Sequence, residues 1–181
     1  MKAVLMSIQP YWVFLIIAKK MGWNINQEKT IEVRKNYPKD GNWNKVAKIY
    51  CSKDKKSFAK IPNEYQPLMK RLLGKVIGEF VCNALTYIEA GYDTNGNKHL
   101  YNTAFIEHRM CISDNELHEY LYKSRENSGG WAWHISNLVI YDKPKELVDF
   151  YVWKKCNSCR VTGYESTACC YDIDCRVPAV I

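Results

Sequence analysis

The first eighteen residues constrain the fold most. Ala3 to Ala18 is almost entirely apolar. Lys2 to Ile8 reads as a short buried strand. Ser7 and Pro10 then signal a helix start, because proline lacks only an N–H that a first helical turn leaves unused. Tyr11 to Met21 has a helical pattern but is apolar almost all round, which predicts a deeply buried helix. Gly22 ends it. A chain of 181 residues can surround such elements with a full core.

The same run superficially resembles a signal peptide. Ser7, Gln9 and Pro10 interrupt it, however, and Lys19-Lys20 stand where a small-residue cleavage site should lie. No stretch reaches the ~18 apolar residues of a membrane span. The expectation is a soluble, cytoplasmic protein with no targeting segment and no membrane partner. Hydrophobic residues at 47% and charged residues at 25% exclude disorder for most of the chain.

The net charge of +7 is unevenly placed. Residues 1–75 hold 16 Lys/Arg against 5 Asp/Glu, and residues 76–181 hold 10 against 14. That asymmetry suits either a basic face that meets nucleic acid or a solvated lysine-rich surface. The 13 Tyr and 6 Trp add amphipathic rings, which serve cores and binding surfaces alike.

Further elements follow from pattern. Thr30 to Lys35 alternates, with Ile31 and Val33 on one face and Thr30, Glu32 and Arg34 on the other. Val46 to Ser52 reads as a strand and residues 53–56 as a charged turn. Glu64 to Leu73 reads as a helix around Pro67, stopped by Gly74. Val76 to Ile88 reads as a long strand, and Gly91 to Asn97 as a turn. Ser113-x-x-Glu116 is a capping-box signature that opens a helix to about Arg125. Ser128-Gly129-Gly130 reads as a turn, Trp131 to Tyr141 as the clearest strand, and Pro144 to Phe150 as a short helix or turn. Strands with a few interspersed helices predict a compact α+β barrel.

Three groups of residues could carry chemistry. In the strand around residues 29–34, Arg34 suits bidentate binding of phosphate or carboxylate. Glu32 suits a general base, and Lys29 a phosphate contact, a base or a nucleophile. The alternative is an exposed strand face laced by ion pairs. In the strand around 131–134, Trp131 and Trp133 share one face and His134 the other. An exposed aromatic pair could stack a base, or one Trp could fill the core. The third group is the tail, Cys156-x2-Cys159-x9-Cys169-Cys170-x4-Cys175. Four of these five thiolates could close a tetrahedral structural zinc site, with a free-thiol tail as the alternative.

The ordered motifs resemble the ASCH domain, a PUA-like β-barrel. Ala3-Val4-Leu5-Met6-Ser7-Ile8-Gln9-Pro10, an apolar helix, and Glu28-Lys29-Thr30-Ile31-Glu32-Val33-Arg34 look like its opening. Ile49-Tyr50-Cys51-Ser52-Lys53 resembles its second barrel strand and the turn after it. Gly74-Lys75-Val76-Ile77-Gly78-Glu79-Phe80 resembles its Gly-x-x-Ile-Gly strand. Trp131-Ala132-Trp133-His134-Ile135-Ser136, running on to Pro144, resembles the closing strand of phage and prophage members. Where the family has a glycine two residues before its lysine, this chain has Gln27 and an extended loop.

The resemblance implies an α+β, PUA-like mixed β-barrel over residues 1–150, followed by a Cys-rich tail over 151–181. It implies a cleft for RNA or a modified nucleoside, lined by Ser7, Thr30, Arg34, Ser52, Lys53, Trp131, Trp133 and His134. Some relatives are amidohydrolases of acylated cytidine and others are ribonucleases. In the amidohydrolase branch the strand's lysine is catalytic, which corresponds to Lys29. Glu32 stands where that branch has a threonine, so the set is not reproduced residue for residue. The leading expectation is an RNA- or nucleotide-binding protein with a basic cleft. Its rivals are a hydrolase using Lys29 and Glu32, and a phage-encoded protein-interaction module.

Overall fold

The computed structural model describes residues 2–37, 44–122, 128–150 and 171–174. The chain divides into two compact units. One comprises Met1–Asn24, Lys45–Val81 and Asn137–Ile181, the other Ile25–Asn44 and Cys82–Ser136. Among the described residues, seven strands and five α-helices make an α+β architecture with a mixed sheet, as the sequence predicts. Among the described residues no helix is long and apolar enough to cross a membrane.

The first unit opens with β1 (Lys2–Ile8) and α1 (Pro10–Ile17). Pro10 sits in the first turn, and Val13 to Ile17 are all buried, which accounts for the lack of a polar face. The helix is shorter than its apolar pattern, and Gly22 lies at φ +68 in the turns beyond it. β3 (Lys45–Cys51) pairs parallel to β1, with Val4 opposite Ala47 and Ile8 opposite Cys51. Its alternating burial sends Ala47, Ile49 and Cys51 inward.

α2 (Lys55–Phe58) begins where a charged turn is expected. Asp54 converts it into a helix by accepting from the Ser57 N–H at 2.6 Å. α3 (Gln66–Lys70) follows, with Pro67 in its first turn. β4 (Lys75–Tyr92) and β6 (Gly129–Glu146) are 18 residues each, and each contributes to both units. A side chain at Gly78 would come within 2.2 Å of the Val139 carbonyl, so only glycine lets β4 and β6 meet there. β6 runs through Pro144, where a helix or turn is expected, and ends in a single 3-10 turn, Leu147–Asp149.

Tyr171–Asp174, which the sequence reading places in the tail, forms β7 and pairs antiparallel with β1. The strand order in this unit is β6-β4-β3-β1-β7. Leu5, Val76 and Phe150 form a small core with Tyr50, Tyr141 and Leu147 against it. Beside it, Lys48 donates to Glu79 and to the Tyr141 hydroxyl, and Tyr141 donates to Glu79 at 2.7 Å.

The second unit is built on β2 (Ile31–Arg34), which pairs antiparallel with β6. β5 (Lys98–Tyr101) pairs antiparallel with the end of β4. The order here is β2-β6-β4, with β5 also on β4. α4 (Glu107–Met110) and α5 (Asp114–Leu121) complete it. Ser113 caps α5 by accepting from the Glu116 N–H, as the capping-box signature predicts, and the helix ends before residue 125. Ile31, Val33, Ile88, Ala90, Ile106, Met110, Leu117, Leu121 and Ala132 form one apolar cluster. Gly129 and Gly130 begin β6 rather than making a free turn. A side chain at Gly130 would meet Leu121 at 2.5 Å and the Arg34 carbonyl at 2.7 Å. In neither unit do the described strands close into a barrel.

Candidate functional site

The register of β2 on β6 sorts the predicted site residues by face. Ile31 lies opposite His134 and Val33 opposite Ala132, while Glu32 lies opposite Trp133 and Arg34 opposite Trp131. The two tryptophans therefore share a face and His134 takes the other, as expected. The polar triplet is not a solvent face, however. β2 is covered on both sides: Lys29 is 3% exposed and Glu32 6%. Trp133, the neighbour of Glu32 on that face, is itself only 1% exposed, so the side that alternation assigns to water is also buried.

Three charges form a string in this interior. The Lys29 Nζ donates to the Met110 carbonyl at 2.7 Å and lies 3.5 Å from Glu32 Oε2. Arg34 Nε lies 3.3 Å from the other carboxylate oxygen. Burial lowers the Lys29 pKa, although Glu32 and Cys111 oppose the effect. Breaking such a buried pair costs about 3–5 kcal/mol, because one charge is left without its partner. This string behaves first as the scaffold of the loop that carries Thr30.

Thr30 is held on three sides. Its N–H donates to the Arg109 carbonyl at 3.0 Å, its carbonyl accepts from Ile135 N–H at 2.9 Å, and its hydroxyl accepts from Arg109 Nε at 3.0 Å. α4 brings Arg109 there. Cys111 ends that helix in the left-handed region at φ 56, and Met110 is buried in the apolar cluster. The result is a cleft of about 770 Å³ between the loop at residues 26–30 and the segment at 107–114. Glu28, Glu107 and Asp114 supply carboxylates, Arg109 and His108 supply donors, and Asn26 and Gln27 supply amides.

The lining of this cleft is acidic on balance, with three carboxylates against one arginine, and of the expected ligand-binding residues it holds Thr30. The Cys111 thiol is pushed up by burial, so it is a poor nucleophile at neutral pH, although Lys29 draws it partly back. His134 Nε2 lies 3.0 Å from the Thr86 hydroxyl. Burial, then the charge of Arg109, lowers the His134 pKa, which keeps the ring neutral near pH 7.

The remaining expected residues are placed as follows. Trp131 packs against Tyr37 at 4.6 Å and Tyr87 at 5.0 Å, ring centre to ring centre. Trp133 is a core residue whose indole N–H has no hydrogen-bond partner among the described residues. Ser7, Ser52 and Lys53 belong to the first unit. Ser7 lies opposite Tyr50, and Ser52 N–H donates to the Ile8 carbonyl at 2.9 Å. The Lys53 stem crosses Gly74, where a side chain would come within 2.3 Å of it. Cys156, Cys159, Cys169, Cys170 and Cys175 lie outside the described residues, and so does the zinc site expected of them. Among the described residues no group of three or more His, Cys, Asp or Glu could hold a metal.

Sequence reasoning missed Arg109, Glu107 and Asp114. The capping signature at Ser113 was the one local signal near them. It located a helix start and said nothing of the partner 79 residues away.

No family model and no curated protein matches the chain. It is similar to the crystal structure of ASCH from Zymomonas mobilis, with 14% identity, a TM-score of 0.49, and coverage of 80% of this chain and 73% of that one. It is likewise similar to two point variants of that protein. A tyrosine-to-phenylalanine variant is 16% identical over 81% and 77% of the two chains with a TM-score of 0.49. A serine-to-alanine variant is 16% identical over 80% and 74% with a TM-score of 0.48. The solved structures that this chain is similar to carry the name of the domain that its own ordered motifs resemble.

Proposed function

We propose that the cleft of the second unit binds a nucleobase-bearing ligand: a modified nucleoside, or one unstacked nucleotide of an RNA. The observation that carries this reading is Arg109 locked on Thr30 at the wall of a cleft rich in both donors and acceptors. A base edge offers alternating carbonyl acceptors and amine donors. Arginine can serve the former and carboxylates the latter. The three carboxylates disfavour a phosphate in the same place. The resemblance to ASCH domains supports the ligand class.

Titration of the protein with cytidine and with N4-acetylcytidine, followed by NMR, tests the reading. Saturable shifts in residues 26–30 and 107–114 are expected. Arg109→Ala should weaken binding at least tenfold, with Glu107→Gln as a milder variant that keeps the Thr30 contact. No saturation at millimolar ligand overturns it, as does unchanged affinity in both variants.

A hydrolytic reading is favoured by one observation, the lowered pKa of Lys29. In that reading the Lys29 amine, once it has lost its proton, takes a proton from water attacking an acyl group. The products would be the free exocyclic amine and a carboxylic acid. Against it, the amine is buried and already bound to Met110, so binding is the better-supported function. Release of acetate from N4-acetylcytidine by the purified protein, lost in Lys29→Met at a temperature where that variant remains folded, would reverse the order.

A further inference from the structure

The sheet of the second unit has a face opposite its apolar cluster. Ile31, Val33, Ile88, Ala90 and Ala132 belong to the cluster. Alternation therefore puts Arg34 of β2, Trp131 of β6, Tyr87 and Glu89 of β4 and Tyr101 of β5 on the other side, with Arg34 opposite Trp131 and Glu89 opposite Tyr101. This face is buried at one end, where Glu32 lies beside Trp133. At the other end it is open to water: Tyr37, Tyr87 and Tyr101 are 38%, 42% and 44% exposed.

The open end is a row of rings. Trp131 stands between two tyrosines, with the Tyr37 ring 4.6 Å away at 66° and the Tyr87 ring 5.0 Å away at 54°, centre to centre. Rings so inclined share no common plane, so they offer separate facets rather than one flat platform. Surface aromatics gathered in this way mark an interaction site more often than rings scattered singly.

The charges beside the rings narrow the partner. Arg34 is engaged, with Nε 3.3 Å from Glu32. Lys35 lies over the Tyr120 ring of α5, the helix whose Leu117 and Leu121 join the apolar cluster. Glu89 is exposed and has no hydrogen bond or ion pair among the described residues. A phosphate backbone would meet an arginine already held and a carboxylate that repels it. An uncharged, ring-bearing chain that carries a positive charge at one end is the complementary partner.

A proline-rich segment has these properties. Its polyproline II form is extended and preorganised, and it offers apolar rings and carbonyls but few N–H groups. Tyrosine and tryptophan supply an apolar ring and a hydrogen-bond donor together. The two ring steps from Tyr37 to Tyr87 come together to about one turn of that helix, three residues at ~3.1 Å each. Glu89 follows Tyr87 by two residues on the same side, ~7 Å along the strand. That places its carboxylate about two residues past the last seated proline.

We propose that this face binds a proline-rich segment of a partner protein, with prolines on Tyr37, Trp131 and Tyr87 and a lysine or arginine of the segment against Glu89. It uses no residue of the cleft, so it stands independently of the nucleoside reading.

Fluorescence anisotropy of a labelled peptide of nine prolines followed by two arginines, titrated with the full chain, tests it. Saturation below 1 mM is expected, with at least tenfold weaker binding of a peptide in which glycine and serine replace the prolines. Tyr37→Ala and Tyr87→Ala should each weaken binding at least tenfold, with thermal melts showing that both variants are folded. Glu89→Lys should weaken the arginine-tailed peptide at least fivefold and bind a glutamate-tailed one better than the unaltered protein does. Arg109→Ala should bind the peptide as the unaltered protein does. No saturation at 1 mM, equal affinity for the glycine–serine peptide, or unchanged affinity in both tyrosine variants overturns the proposal. So does loss of peptide binding in Arg109→Ala, which would move the site to the cleft, or displacement of the peptide by millimolar tetramethylammonium, which would assign the rings to a cation. Self-association in sedimentation that Tyr87→Ala abolishes, without peptide binding, would overturn it in favour of a second copy of this chain.

Discussion

The two units place most of their charge differently. In the first, cations stand on short helices in water, and the charges drawn inward are Lys45 and the partly buried Lys48–Glu79 pair. In the second, Lys29, Glu32 and Arg34 are drawn inside, and the polar groups that reach the cleft are fixed by hydrogen bonds from them and from α4. The same residue types therefore do different work. An exposed lysine acts at a distance and costs little to remove, whereas a buried lysine organises backbone and costs much to remove.

The contrast can be broken most directly with lysine replacements. Lys29→Met should destabilise the protein by about 3 kcal/mol, because Glu32 is left buried with Arg34 as its remaining partner. That is roughly 6–12 °C in melting temperature for a chain of this size. Lys55→Met should change stability by no more than about 0.5 kcal/mol. Equal losses in the two variants would erase the distinction.

A smaller effect is expected at the cap of α2. Asp54→Ala removes the acceptor for Ser57 N–H and should cost about 1 kcal/mol. A melt that does not move would show that packing alone holds α2.

The smallest effect concerns pH. The folded His134 pKa is lowered, so the unfolded chain binds that proton more readily. The stability linked to His134 is therefore complete above the unfolded value of about 6.5, and it is lost as pH falls below it. Chemical melts between pH 7.5 and 5.0 should show a decline that His134→Gln reduces. A decline of the same size in that variant would assign it to other groups.

Much of the fold was legible because its signals were local. The apolar run at residues 3–18 announced β1 and α1, and Ser113 announced α5. Alternation at Ile31 and Val33 found β2 but misjudged its environment. A period of two reports which residues share a face, and it cannot report that the polar one is buried beside Trp133 of a strand far along the chain. α2, α4 and β5 escaped because four-residue elements are too short to show a period. Arg109 escaped for the same reason. β7 shows alternation in Tyr171-Asp172-Ile173-Asp174, but the cysteine spacing around it dominates any reading of the tail. The expected ligand set came from resemblance rather than from pattern, and the acidic lining contributed by residues 107–114 had no sequence signal of its own.

The pairing of β7 with β1 has a consequence for synthesis. Lys2 lies beside Asp174 in that ladder, so β1 leaves the ribosome well before the partner that pairs with it. Until then the outer backbone of an apolar strand, Ala3-Val4-Leu5, stands bare. Such an edge invites pairing with other nascent chains, and loop closure over this separation is slow. Chaperone demand during translation, rather than the stability of the finished protein, is where this topology should be felt.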